Sequence, residues 1–340
     1  MMACFLKDES LRPFVKALMG KTPVIGPVAK KSRFVFAELA SEDDLRLDYD
    51  TTILPPKKVF FPTRQDLVKF KQGSFEGCMC AREQVLFGVH AHDIKGIDMS
   101  DAFYAANQPD GYYMEARKAT TIVGCSVQKH YKHSFFGSVC RERRAEGYDL
   151  FLTKIAGGYL AEAKTPKGEA LLKLGSFTDA TEAQTKAAAD ARVKEQEVCP
   201  ERLNNTSDEI GAKVRSSFGS DIWSKLSEDC FSCGSCNIVC PTCYCFDVQD
   251  EWNLDGASGT RFRCWDACLT SEFAEVSVQG GCENFREERA ERYRHRFMRK
   301  TSYLNDLLGG PACVGCGRCS GACTADIANP TVAINKIMEL

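Results

Sequence analysis

The sequence carries no surplus of charge of one sign: 44 Lys and Arg stand against 46 Asp and Glu, a formal net charge of −2 over 340 residues. That balance excludes the global basic field that holds nucleic acid or an anionic membrane. Long apolar runs are missing as well, since none approaches the about 20 residues of a membrane span. The opening Met1-Met2-Ala3-Cys4-Phe5-Leu6-Lys7-Asp8 lacks a basic stretch followed by an apolar one. This argues against a secretory leader and predicts a cytoplasmic chain with reduced thiols. Enzymatic signatures are equally scarce. No G-x-G-x-x-G follows a predicted strand, so the chain shows no flavin or nicotinamide fingerprint of its own. Neither G-x-S-x-G nor H-E-x-x-H occurs. Gly20-Lys21-Thr22 fails as the tail of a phosphate loop because Val15 stands where the first glycine is required.

What the chain does have is cysteine, 19 residues of it. In a reducing compartment such density points to metal or redox chemistry rather than disulfides. Thirteen lie between Cys230 and Cys323, whereas Cys4, Cys78, Cys80, Cys125, Cys140 and Cys199 are scattered before them. Cys230-x2-Cys233-x2-Cys236-x3-Cys240-Pro241 and Cys313-x2-Cys316-x2-Cys319-x3-Cys323 share one spacing, that of the bacterial ferredoxin run for 4Fe-4S clusters. Three thiolates must reach one cubane from a single tight loop, and Ser232, Gly234, Ser235, Gly315 and Gly317 let the backbone approach it. In two-cluster ferredoxins the fourth cysteine of each run serves the other cluster. The expected ligand sets are therefore Cys230, Cys233, Cys236 and Cys323 for cluster 1, and Cys313, Cys316, Cys319 and Cys240 for cluster 2. Zinc is the competing reading, but its sites usually pair two C-x2-C units across a longer gap. Thr324 replaces the proline expected after Cys323, a position that directs the chain but ligates nothing.

Cys243, Cys245, Cys264, Cys268 and Cys282 remain. Either they are small buried residues near a cluster, or they hold a third Fe-S cluster. For that cluster the expected ligands are Cys243, Cys245, Cys268 and Cys282, with Cys264 in reserve.

Length and a hydrophobic fraction of 44% allow two domains, each with its own core. Residues 1–175 read as an α/β domain, with strands expected at Lys58–Pro62, Val85–Val89, Thr120–Gly124 and Tyr148–Thr153 and a hairpin turning at Gly157-Gly158. Residues 176–222 read as a helical linker, exposed over Thr178–Glu197, and residues 223–340 as a mainly α-helical dicluster ferredoxin-like domain. Cys78, Cys80, His90 and His92 have metal-ligand chemistry, but the strand between them should sweep the pairs apart. His130 and His133 read as surface or supporting groups. The basic stretch Arg286, Arg289, Arg292, Arg294, Arg296, Arg299 and Lys300, interleaved with Glu287, Glu288 and Glu291, reads as a solvated helix braced by charge pairs. Its alternative places guanidinium groups beside the clusters or against a partner.

Taken together, Cys230–Val248, Arg263-Cys-Trp-Asp-Ala-Cys268, Asn284-Phe-Arg286, Arg292-Tyr-Arg-His-Arg296 and Cys313–Cys319 resemble the iron–sulfur subunits shared by sulfhydrogenases, where it is the β subunit, and anaerobic sulfite reductase. Upstream, Gly88–Ile94, Tyr112-Tyr113 with Arg117, and Gly147–Thr153 stand in the order found in those proteins. The resemblance implies an electron-transfer subunit of an anaerobic oxidoreductase complex. Its partners would be a flavin/NAD(P)-binding subunit plus a catalytic redox subunit, of nickel–iron hydrogenase or sulfur- or sulfite-reducing type. Related subunits feed heterodisulfide-reductase-like complexes. A chain that itself reduces a sulfur substrate at an extra cluster is the reading from the enzyme class. The family often carries a C-x-C near the place of Phe135-Phe136 and a His where Cys282 stands.

Overall fold

The computed structural model describes residues 2–140 and 145–340. Met1 and residues 141–144, which fall within the range expected for the first domain, lie outside the described residues.

Val85, Leu86, Phe87 and Val89 are all at most 2% exposed. A continuous apolar run of this kind forms a strand covered on both faces, as central parallel strands are. It does so here: Gln84–His90 lies at the heart of an eight-stranded mixed sheet. From edge to edge the strands are Thr178–Asp179, Met2–Lys7, Gly158–Ala163, Leu150–Ile155, Thr120–Cys125, Gln84–His90, Val24–Lys30 and Arg33–Glu38. Leu150–Ile155, Thr120–Cys125, Gln84–His90 and Val24–Lys30 run parallel to their neighbours in that order, and the remaining pairs are antiparallel. The core of this layer includes Phe14, Phe36, Leu86, Phe87, Ile122 and Leu152, each at most 1% exposed. Full burial of such a side chain stabilises the fold by about 1.5–3 kcal/mol. Gly88 interrupts its strand with a bulge and a φ of +76°; a Cβ there would stand 2.6 Å from Leu47 Cδ2. The expected strands near 85, 120 and 150 and the hairpin at Gly157 are present, with Gly157 left-handed at φ +77°.

Three expectations are corrected. Lys58–Pro62 is not a strand: Pro55 and Pro56 set up a 3-10 turn over Pro56–Val59, which delivers Phe60 and Phe61 into the core. Proline fixes φ and removes a ladder donor, and both effects favour the turn. The stretch 178–197 is not simply an exposed joining helix. Its first residues form an edge strand on Cys4 and Phe5, and the helix Glu182–Glu197 packs on the sheet through Ala188 and Glu195. Polar bonds take the place of a large apolar stripe on that face: Arg192 donates to Thr153 Oγ1 and Glu195 accepts from the Val127 N–H.

The cysteine-rich part is likewise less helical than expected. Between the two runs it folds into the hairpin Phe246–Trp252/Ser258–Trp265, which joins Arg64–Lys71 and Ser74–Gly77 in a four-stranded sheet, and a second hairpin, Glu275–Val278/Gly281–Asn284. Asp255-Gly256 at the first turn, with Gly256 at φ +62°, is the sequence signal for it. Because the four-stranded sheet takes two strands from each half, it ties the cysteine region to the N-terminal region. No helix among the described residues is long and apolar enough to cross a membrane.

Candidate metal centre

The two cysteine runs fold alike. In the first, Ser232 (φ +53°) and Gly234 (φ +70°) are left-handed and lead into the short helix Ser235–Ile238. In the second, Gly315 (φ +66°) and Gly317 (φ +73°) occupy the same places ahead of Arg318–Ala322. Two left-handed residues per loop curl the chain so that its thiols converge and amides point inward, as in the Ser232 N–H that donates to Cys230 Sγ at 3.4 Å. Gly315 and Gly317 also permit close docking on the N-terminal region: a Cβ would stand 2.5 Å from the Phe136 backbone at one and 2.4 Å from the His133 carbonyl at the other.

Each run opens onto a cavity. One is lined by Cys230, Cys233, Cys236 and Cys323 together with Leu269, Tyr293 and Ile327. The other is lined by Cys313, Cys316, Cys319 and Cys240 together with Phe135, Arg296, Phe297 and Lys300. Each fourth cysteine lines the cavity of the other run. The donor set fits iron–sulfur ligation: four sulfurs per cavity, inward-facing backbone, and apolar walls that exclude water.

Of the remaining cysteines, three gather beside the second cavity. The Cys243 thiol hydrogen-bonds Cys240, and Cys268 hydrogen-bonds Cys245. The bond from Cys268 holds the Cys245 thiol below its ordinary value. Asn237 Nδ2 donates to Cys268 Sγ at 3.0 Å, and Lys57 Nζ donates to the Cys243 carbonyl at 2.5 Å. Burial lowers Lys57 to about 8. Cys282 is exposed on the outer hairpin opposite Ser277. Cys264 is partly buried among Asp247, Asp266 and Arg64.

The basic stretch contradicts the expectation of a solvated helix. Helix Arg289–Thr301 buries Arg292, Arg296 and Lys300, four residues apart and therefore on one face, beside Tyr293 and Phe297. Sequence reasoning also missed the ion pair Arg318–Asp93. Both guanidinium nitrogens lie 2.6 Å from the carboxylate, the two side chains are at most 2% exposed, and Arg318 also donates to the Thr52 carbonyl. Arg318 sits within the second run and Asp93 begins the helix after strand Gln84–His90, so the pair locks the second loop to the sheet. Its only sequence trace is an arginine between two ligand positions. The smaller metal candidates do not assemble. Cys80 is exposed, whereas His90 is buried and stacked on Tyr49 at 4.0 Å, and His92 is stacked on Phe136 at 5.0 Å. His130 and His133 hydrogen-bond the Glu195 carbonyl and the Glu201 carboxylate, each at 2.7 Å.

A pair of four-cysteine cavities on ferredoxin-spaced loops defines an iron–sulfur protein of the dicluster class, and residues 229–327 match the 4Fe-4S dicluster domain family. Over 336 residues, 98% of either chain, the sequence is 35% identical to sulfhydrogenase 2 subunit beta of Pyrococcus furiosus. The chain belongs to the iron–sulfur subunit family of the sulfhydrogenase β subunit.

Proposed function

We propose that the protein is a two-cluster electron relay. Cys230, Cys233, Cys236 and Cys323 hold one 4Fe-4S cluster, and Cys313, Cys316, Cys319 and Cys240 hold the second. The crossed lining of the two cavities carries this assignment. Each cluster supplies a one-electron couple. The chain's own part is to hold the sulfurs at fixed range, exclude water with Phe135, Leu269, Tyr293 and Phe297, and surround the second site with cations. In this reading residues 223–340 are the redox unit and residues 1–175 its support. The chain links a flavin/NAD(P)-binding subunit to the catalytic subunit of a cytoplasmic anaerobic complex, of sulfhydrogenase or sulfite reductase type, and relays electrons between them. The resemblance to a sulfhydrogenase β subunit supports those partners.

Anaerobic reconstitution followed by iron, sulfide and EPR analysis tests the reading. About eight iron per chain and two reduced-state signals are expected. Colourless protein without a signal, or stoichiometric zinc in its place, overturns it. The gathering of Cys243, Cys245 and Cys268 favours a second reading, a third cluster beside the other two. About twelve iron per chain would establish it and about eight would remove it.

A further inference from the structure

The buried cations of helix Arg289–Thr301 are not equivalent. Arg292 donates to the carbonyls of Leu269, Arg286 and Glu287, and Lys300 donates to Thr242 Oγ1 at 2.8 Å. Arg296 is 3% exposed, its Nε has no hydrogen-bond partner, and no carboxylate pairs with it among the described residues. What it faces is sulfur. Its guanidinium hydrogen-bonds Cys319, lies toward Cys236, and lines the second cavity. Cys236 and Cys319 belong to opposite ligand sets, yet they pack in one core, and the short helices that carry them are in contact. Arg296 therefore stands where the two sites meet.

A buried guanidinium without a carboxylate partner is strongly unfavourable, and it does not escape the cost by losing its proton. Thiolate-ligated clusters are net negative and answer that charge from both sides. Reduction adds a further electron, so a fixed cation favours the reduced form of whichever cluster it faces. We infer that Arg296 is the shared counter-charge of the two cluster sites, a positioning residue that raises the reduction potential of both. When an electron passes between the sites, no bond forms or breaks and Arg296 keeps its proton throughout.

The test is an EPR-monitored redox titration of the reconstituted full chain. It compares wild type with Arg296→Gln, Arg296→Lys and, as a control on the same helix, Arg294→Gln, whose guanidinium lies 3.9 Å from the Phe218 ring centroid. Both midpoint potentials are expected to fall in Arg296→Gln, to stay near wild type in Arg296→Lys, and not to move in Arg294→Gln. A fall confined to one cluster, no fall, or an equal fall in Arg294→Gln overturns the inference. If Arg296→Gln does not retain iron, Arg296→Lys decides: recovery of iron and of both potentials supports charge as the role, and failure to recover them refutes it. The inference rests on the two-cluster reading, so the wild type is measured first. A wild type without two signals sinks both, whereas two signals indifferent to Arg296 sink the inference alone.

Discussion

The two cysteine loops have the same spacing and the same left-handed turns, yet their surroundings differ. The first cavity lies near the surface: Cys233 is exposed, Phe231 beside it is 71% exposed, and no charged side chain lines the space among the described residues. The second is enclosed by Phe135 from the N-terminal region and is lined by Lys300 in addition to the shared Arg296, and its loop is tied down by Arg318–Asp93. Equal ligand geometry combined with unequal charge and burial separates potentials, because the cubane is the same and only its environment changes. On the proposed assignment the second cluster is the higher-potential, protected site, and the first is where electrons enter or leave.

The most severe way to break this comparison is to cross the ligands. Cys240→Ser belongs by sequence to the first loop, yet it should abolish the same EPR signal as Cys313→Ser and lower iron from about eight to about four per chain. If it instead abolishes the signal that Cys233→Ser abolishes, the crossed assignment fails. Next comes the tie between loop and sheet. Asp93→Ala leaves Arg318 buried without its counter-charge, which should lower stability by about 3–5 kcal/mol in denaturant unfolding. Arg318→Met added to it should recover part of the loss. A change below about 1 kcal/mol would mean that the pair does not anchor the second loop.

The wall behind the second cavity is open to a pH test. Glu195 accepts from the Val127 N–H at 2.9 Å, and its helix packs against Phe136–Val139. Burial pushes its carboxyl from 4.5 up to about 7. The folded value lies above the unfolded one, so this stabilising contribution is complete below about pH 4.5 and is lost as pH rises through about 7. Across that window the loss amounts to about 3 kcal/mol. Glu195→Gln should flatten this part of the stability curve, and an unchanged slope would exclude the carboxyl as its source. The smallest effect is expected from Lys300→Met, which removes one of the second cavity's cations: the second cluster's potential should fall by more than the first's. An equal or opposite response would erase the proposed contrast between the sites.

The ligand runs were legible in the sequence, as were the parallel strands around Val85–Val89, because both depend on neighbours within one loop or one strand. The first hairpin between the runs was missed although Asp255-Gly256 announced it, since the cysteines drew the reading toward helix. Arg292, Arg296 and Lys300 look in sequence like any solvated charge face. A spacing of four residues says that side chains share a face but not which way that face turns.

By itself the sequence pointed to the chemistry: on the proposed assignment, eight cysteines at ferredoxin spacing mark two cubane-binding loops, because converging three thiols on one point is a local problem of backbone and spacing. The tertiary structure decided everything that makes the two sites unlike. The burial of Arg296 and Lys300 and the lock of Asp93 on Arg318 from 225 residues away depend on which surfaces pack together, whereas the crossing of Cys240 and Cys323 was already expected from the paired spacing. Packing over that distance follows from the whole set of buried contacts, and no local pattern encodes it.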